Sequence, residues 1–239
     1  GEVGNLAYLR PNYAKTGADF VKARGGRPFL TDCNTLYVGS RKNALEHMDA
    51  AYLNGFSPFS TGCHVIIADG LKGSDDIEVP VAGGEYVKNA KIGRALMDAD
   101  IIISLTHFKG HEEAGFGGTL KNIGMGGGSR AGKMEMHAQG KPYVEAENCI
   151  GCGQCSKICA HGAPVVTNKK CTIDHDKCVG CGRCIAICPK DAITPEFDES
   201  EEVLNYKIAE YTKAILDGRP GRHARSGAGL RRSADRRRA

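Results

Sequence analysis

Eight of the eleven cysteines occur in two copies of one spacing, C-x2-C-x2-C-x3-C, which together span residues 149–188. Three thiolates at this spacing can bind one face of a cubane, while the fourth, on a short helical turn, reaches the neighbouring site. The pattern therefore predicts two interlocked [4Fe–4S] clusters. The predicted ligands of one cluster are Cys149, Cys152, Cys155 and Cys188, and those of the other are Cys178, Cys181, Cys184 and Cys159.

The cysteine runs belong to a longer repeat with an offset of 29 residues, in which Ala163 matches Ala192. Zinc ribbons use paired C-x2-C motifs and disulfides need an oxidising compartment, so both alternatives fit the pattern less well. Residues 142–197 resemble a bacterial two-cluster ferredoxin module, which implies an α+β fold for this segment. One departure is Ala160, which stands where such modules usually have proline. Cys171 fits neither run, and we interpret it as a buried structural thiol.

The net charge of +4 comes from the end of the chain, because residues 219–239 hold eight arginines and one aspartate. With almost no large apolar residues, residues 218–239 are expected to be a disordered basic tail. The tail is either an arm for nucleic acid or an acidic partner, or else an expression artefact or out-of-frame end. The abrupt start at Gly1 suggests a missing N-terminal segment. No apolar run is long enough to span a bilayer, so we expect a cytoplasmic protein without membrane contact.

In residues 1–141, apolar runs alternate with amphipathic stretches. This pattern predicts an α/β domain with a mostly parallel sheet and helices on both faces. The predicted strands are residues 28–31, 64–68 and 101–106. A hairpin is predicted between residues 77–81 and 86–87. Ser40 is expected to cap one of the helices. Residues 198–217 predict a helix that packs back on this domain through an apolar stripe of Leu204, Ile208, Tyr211 and Ile215.

The three predicted strands of the α/β domain each end in a polar group: Asp32, Asp69, and the pair Thr106 and His107. In open α/β sheets, ligands bind in the crevice beyond the carboxyl ends of the strands. The polar groups therefore either form a shared binding site, or the two aspartates merely cap the turns that follow them.

Five short motifs occur in order ahead of the cysteine-rich segment, at residues 32–39, 68–70, 107–111, 115–122 and 124–126. On these motifs, residues 1–217 resemble an uncharacterised family of prokaryotic iron–sulfur centre proteins, in which a domain of unknown function carries an inserted two-cluster ferredoxin module. The resemblance implies clusters, and it implies no substrate and no catalytic residue.

Residues 104–137 combine many glycines with hydrogen-bonding side chains, which is typical of a binding loop as well as of a flexible one. His107 and His111 are four residues apart, a metal-binding spacing on a helix, but the glycines around them favour a loop. Gly117 and Gly118 can open a helix whose free N–H groups hold an anion, with Lys121 beside them.

These observations lead to three functional hypotheses. The first is a protein that carries electrons through two [4Fe–4S] clusters, with an α/β domain that docks a redox partner protein or binds a small anionic ligand. The second is an oxidoreductase acting on a small anionic substrate, with His107 or His111 as acid or base. The third, a redox-sensing nucleic-acid-binding protein, rests mainly on the basic tail, and we do not favour it. The predicted anion-binding residues are Lys109, Asp32, Asp69, Gly117, Gly118, Lys121 and Asn122.

Overall fold

The computed structural model describes residues 3–4, 8–37, 39–111, 114–137, 141–195, 200–217 and 224–225. Of the predicted basic tail, only Ala224 and Arg225 lie within these ranges. The described chain consists of mixed helices and short strands, and the strands form small two-stranded sheets.

The helices are α1 (Pro11–Lys22), α2 (Ala44–Leu53), α3 (Pro58–Thr61), α4 (Arg94–Asp98), α5 (Thr119–Gly127), α6 (Arg130–His137), α7 (Gln154–Ile158), α8 (Arg183–Ile187) and α9 (Glu201–Leu216). The strands are β1 (Phe29–Asp32), β2 (His64–Ile67), β3 (Asp76–Pro80), β4 (Asn89–Gly93), β5 (Leu105–Thr106), β6 (Lys109–His111), β7 (Gly115–Gly117), β8 (Pro142–Val144), β9 (Pro164–Thr167), β10 (Lys170–Ile173), β11 (Ile193–Pro195) and β12 (Ala224–Arg225).

The strand pairs differ from the single, mostly parallel sheet expected for residues 1–141. Within the described residues, β1–β2 and β5–β12 are parallel, whereas β3–β4, β6–β7, β8–β11 and β9–β10 are antiparallel. Of the predicted strand 101–106, only Leu105 and Thr106 pair with another strand in the part of the chain that the structure describes. Ile101 and Ile103 are 56% and 40% exposed, so this apolar run is not the buried central strand that its composition predicts.

The larger core forms where α9 packs against the glycine-rich helix α5. The predicted stripe on α9 is buried along its whole length, and Tyr211 and Ile215 are fully buried. A Cβ atom on Gly124 of α5 would lie 2.7 Å from Oγ1 of Thr212, so the two helices approach too closely for a larger residue there. The Thr212 hydroxyl also donates a hydrogen bond to the carbonyl of Leu120 at 2.9 Å. The glycines of α5 therefore permit close helix packing.

A second, smaller core joins the cysteine-rich segment to the rest of the chain. Leu36 and Met134, which come from the first 141 residues, pack with Ile185, Ile193 and the side chains of several cysteines. Met134 is fully buried on α6. Lys42 also forms an ion pair with Asp191 across the same boundary. The α6 helix thus lies against both parts of the molecule.

Candidate functional site

The cysteine-rich segment is built from two structurally similar halves. The first half runs β8–α7–β9 and the second runs β10–α8–β11, and the strand pairs β8–β11 and β9–β10 each join one half to the other. The backbone N–H of Glu145 donates to the carbonyl of Ala192 at 2.8 Å, and that of Asp174 donates to the carbonyl of Ala163 at 2.8 Å. Each pair of equivalent residues is separated by the 29-residue offset of the sequence repeat.

Two cavities lie between these halves, and four of the predicted ligands line each one. Each contains about 350–360 Å³ of empty space, part of it open to solvent. The cysteines lining the first, here called cysteine cavity 1, are Cys149, Cys152, Cys155, Cys171 and Cys188. The cysteines lining the second, cysteine cavity 2, are Cys159, Cys178, Cys181 and Cys184. The fourth cysteine of each run thus lines the cavity of the other run: Cys188 lines cysteine cavity 1, and Cys159 lines cysteine cavity 2.

The turns that carry the first three cysteines of each run depend on glycine. Gly151 and Gly153 in the first half have φ of +67° and +72°, and Gly180 and Gly182 in the second have +68° and +67°. These left-handed conformations favour glycine because a Cβ atom would meet the following carbonyl oxygen. Gly153 and Gly182 are also the N-caps of α7 and α8. These glycines therefore permit the tight turns that bring the cysteines of each run together.

Backbone N–H groups donate to two of the cysteine sulfurs in cysteine cavity 1. The N–H of Cys171 lies 3.4 Å from Sγ of Cys149, and the N–H of Ala192 lies 3.3 Å from Sγ of Cys188. Such hydrogen bonds stabilise the thiolate form and tune a bound metal centre.

The donor set of each cavity suits an iron–sulfur cluster, since thiolates are the ligands that such clusters use. Burial, reinforced by the neighbouring thiolates of Cys181 and Cys178, raises the pKa of Cys184 to about 12. Deprotonated thiols packed in this way require nearby positive charge, which iron provides when bound. Among the described residues, no group of three or more His, Cys, Asp or Glu side chains is placed to hold a single metal ion. A cubane differs, because each of its four thiolates binds a different iron atom.

Cys171 is a residue whose position the sequence interpretation missed. It is buried, as predicted, but it lines cysteine cavity 1, and its sulfur lies 3.5 Å from the sulfur of Cys155. The sequence repeat could have indicated this position. The 29-residue offset makes Cys171 equivalent to Pro142, which lines cysteine cavity 2.

The predicted strand-end aspartates both lie at the carboxyl end of the parallel pair β1–β2. Asp32 ends β1, and Asp69 follows β2. The backbone N–H and the side-chain amide of Asn34 both donate to Oδ1 of Asp69, at 2.9 and 2.8 Å. Burial raises the pKa of Asp69, and the charges of Lys133 and Arg130 oppose this rise. Its second oxygen, Oδ2, is buried and has no hydrogen-bond partner within the described chain.

Two basic residues lie near Asp32 and Asp69, and neither of them was predicted from the sequence as part of this site. His47 is buried, and its Nε2 lies 3.8 Å from Oδ2 of Asp32. Burial lowers the pKa of His47 to about 4, although Asp32 opposes the shift. Lys133 is also buried, and its Nζ donates to the carbonyl of Gly128 at 2.6 Å. We call Asp32, Asp69, His47 and Lys133 the strand-end group.

The remaining predicted residues gather at the N-terminal end of α5. Gly117 ends β7, and Gly118, which has no side chain, is the N-cap of α5. Nζ of Lys121 lies 2.8 Å from Nε2 of His111, and the Asn122 amide donates to the Thr106 hydroxyl at 3.2 Å. We call Lys121, His111, Asn122 and Thr106 the helix-start group. His107 and Lys109 are exposed beside it.

Helix α5 separates the two groups. Its N-cap, Gly118, belongs to the helix-start end, whereas a Cβ atom on Gly126 would lie 3.4 Å from Oδ1 of Asp32. Eight residues of helix span about 12 Å. The single crevice suggested by the sequence is therefore divided between two polar groups, one at each end of α5.

His137 on α6 is electrostatically linked to both groups. Its pKa is lowered to about 4, mainly by burial and then by the charges of Lys121, Lys133 and His111. The two groups are therefore close enough for their charges to act on one imidazole.

Among the described helices, none combines the length and hydrophobicity needed to cross a membrane. A search of curated proteins finds no matching sequence. The family described as a domain of unknown function (DUF362) matches residues 1–224, which include both polar groups and both cysteine cavities. The chain therefore belongs to the DUF362 family.

Proposed function

We propose that this protein carries electrons through two [4Fe–4S] clusters, one in each cysteine cavity. The observation that carries the proposal is the composition of the two cavities. Each is lined by three cysteines from one run and by the fourth cysteine of the other run. This crossed grouping is how two-cluster ferredoxins bind their clusters. In this proposal residues 142–197 form a ferredoxin module.

The surface around the cavities supports exchange of electrons with a partner protein. Cys152 is exposed, so a cluster in cysteine cavity 1 would lie near the surface. Ile150 and Val179 occupy equivalent positions in the two halves, line cavities 1 and 2 respectively, and are 56% and 55% exposed. Apolar side chains on the surface beside a redox centre suit a transient docking interface.

The rest of the chain would then dock the redox partner or bind a small anionic ligand. We assign residues 1–141 to an α/β domain, of which the parallel pair β1–β2 would be part of a mostly parallel sheet. The C-terminal helix α9 would belong to this domain, since it packs on α5. None of the eleven cysteines forms a disulfide, which fits the reducing cytoplasm.

An anaerobic reductive titration tests electron transfer directly. The purified protein should take up two electrons per chain, one for each cluster, with loss of visible absorption and appearance of electron paramagnetic resonance (EPR) signals. The Cys149→Ser and Cys178→Ser variants should each lose the signals of a single cluster. A wild-type protein that accepts no electrons from dithionite would refute the proposal.

A second candidate function is an oxidoreductase that acts on a small anionic substrate. The observation that favours it is the helix-start group, where Lys121 lies beside His111 at the N-terminus of α5, whose N-cap is Gly118. Backbone N–H groups and an ammonium group together attract an anion, and an imidazole can exchange a proton near neutral pH. The clusters would supply or remove the electrons.

Anion binding can be tested separately from the clusters. A thermal-shift screen of phosphates, carboxylates and nucleotides should find an anion that stabilises the wild type, and Lys121→Ala should abolish that shift with its iron content unchanged. Lys15→Ala, on the exposed surface of α1, is the matched control and should keep the shift. If Lys121→Ala alters cluster retention instead, and no anion gives a shift, the loop would only pack against the ferredoxin module.

A further inference from the structure

Arg130 occupies an unusual position between the strand-end group and cysteine cavity 2. It is the first residue of α6, and it is fully buried. A Cβ atom placed on Gly182, which lines cysteine cavity 2, would lie 2.7 Å from both Cγ and Cδ of Arg130. The aliphatic part of the Arg130 side chain thus occupies the space that a side chain at position 182 would need. Burial lowers the pKa of Arg130, and the charges of Asp69, Cys184, Glu46 and Cys181 oppose this shift.

The equivalent position in the other half of the repeat has no such neighbour among the described residues. Gly153 matches Gly182 at the 29-residue offset, lines cysteine cavity 1 and has nearly the same φ. A Cβ atom on Gly153 would meet no heavy atom of the described chain within 4 Å. Lys190 lines cysteine cavity 1, but it is exposed to solvent. A buried cation therefore adjoins cysteine cavity 2 at a position where the described chain places no neighbour beside cysteine cavity 1.

The guanidinium of Arg130 is poorly compensated by the protein itself. One nitrogen, Nη2, donates to the carbonyl of Lys42, whereas Nε and Nη1 are buried without a hydrogen-bond partner in the described chain. Among the charges that favour the protonated form of Arg130, that of Asp69 has the largest effect, and the pKa of Asp69 is itself raised by burial. A buried guanidinium keeps its proton and needs a nearby negative charge. A [4Fe–4S] cluster with four thiolates is an anion, and it would provide that charge.

Resting on the proposed function, we infer that Arg130 raises the reduction potential of the cluster in cysteine cavity 2 above that of the cluster in cysteine cavity 1. Reduction adds one negative charge to an anionic group, and a buried cation stabilises the reduced form more than the oxidised form. When one electron is shared between the clusters, it leaves cavity 1 and resides in cavity 2. The electron is thereby held next to the strand-end group.

Arg183 provides an internal comparison for this effect. It also lines cysteine cavity 2 and carries the same charge, but its side chain is exposed. Water and salt screen an exposed charge far more than a buried one. Removal of the Arg183 charge should therefore change the potential of the cluster much less than removal of the Arg130 charge.

The test is an anaerobic redox titration of the full chain, followed by EPR. The Cys159→Ser and Cys188→Ser variants assign the signals of cavities 2 and 1. In the wild type, the cavity 2 cluster should have the higher midpoint potential. Arg130→Gln should make reduction of the cavity 2 cluster at least tenfold less favourable, which lowers its midpoint potential by about 59 mV or more for one electron. Arg130→Lys should stay close to the wild type, and Arg183→Gln should have a smaller effect. The cavity 1 midpoint should not change in any of these variants.

The outcomes separate this inference from the proposal beneath it. If both clusters are present and Arg130→Gln leaves the cavity 2 midpoint unchanged, the inference is wrong and the electron-transfer proposal stands. If the Arg130 variants do not fold, the two midpoint potentials of the wild-type protein decide the question. A lower midpoint potential for the cavity 2 cluster than for the cavity 1 cluster overturns the inference. A wild-type protein with no reducible cluster overturns both.

Discussion

The sulfur of Cys171 lies 3.5 Å from the sulfur of Cys155 in the wall of cysteine cavity 1. Five thiols thus surround a cavity in which a cubane needs four. The C-x2-C-x2-C-x3-C run and its crossed partner already supply those four. Cys171 instead places its backbone N–H against Sγ of Cys149 and packs its own side chain into the smaller core.

We therefore expect Cys171→Ala to keep the full iron content of the protein. The free energy of unfolding should fall by about 1 kcal/mol, because a buried sulfur loses its packing contacts. Iron analysis and chemical unfolding under anaerobic conditions measure the two effects. Cys63→Ala, a buried thiol that does not line either cavity, is the control. Loss of half the iron from Cys171→Ala would mean that Cys171 is a ligand.

Crossed ligation makes opposite predictions for two equivalent cysteines. Cys159 belongs by sequence to the first run but lines cysteine cavity 2, and Cys188 belongs to the second run but lines cysteine cavity 1. Cys159→Ser should therefore perturb the cluster held by the second run, and Cys188→Ser the cluster held by the first. EPR of each variant, compared with Cys149→Ser and Cys178→Ser, assigns the signals. Uncrossed ligation would give the reverse assignment.

Gly153 and Gly182 form a matched pair for measuring the packing of Arg130. Alanine in the left-handed conformation costs about 1–2 kcal/mol at either position. Only at Gly182 would the added Cβ atom also displace a buried side chain, that of Arg130. Gly182→Ala should thus lower the free energy of unfolding by clearly more than Gly153→Ala does, as measured by anaerobic denaturant titration. Equal losses would show that Arg130 does not pack tightly on Gly182.

His47 should make the protein less stable in acid. Its pKa is about 4 in the folded chain against 6.5 in the unfolded chain, with burial as the main cause. The unfolded state therefore binds the proton first as the pH falls below 6.5, and the folded state loses stability until about pH 4. The full effect is on the order of 3 kcal/mol.

His47→Gln should remove this contribution, so the variant and the wild type should converge in stability as the pH falls. Unfolding measured at several pH values between about 7 and 4 gives the comparison. Asp69 has a raised pKa and acts with the opposite sign, but it is present in both proteins and cancels in the difference. A constant difference across this range would mean that His47 is not kept neutral by burial.

Local patterns in the sequence predicted the elements that depend on one segment alone. The stripe on α9 is buried as expected, and Ser200 caps the helix by accepting a hydrogen bond from the N–H of Val203 at 3.3 Å. The cap predicted at Ser40 lies instead at Asn43, whose side chain accepts from Leu45 and Glu46. Several residues in that stretch can cap a helix, and the sequence does not decide between them.

Features that depend on distant segments were not predictable in the same way. The hairpin expected between 77–81 and 86–87 forms instead between β3 and β4, because strand register depends on the whole ladder. Arg130 carried no sequence signal, since its importance arises from contact with Gly182, a residue 52 positions later. The strand-end and helix-start groups likewise depend on how α5 packs.

Elemental analysis of the anaerobically purified protein tests the central claim most directly. Two cavities with four cysteine ligands each should hold about eight iron atoms and eight acid-labile sulfides per chain. Zinc in place of iron, or a content near four iron atoms per chain, would contradict the assignment of a [4Fe–4S] cluster to each cysteine cavity.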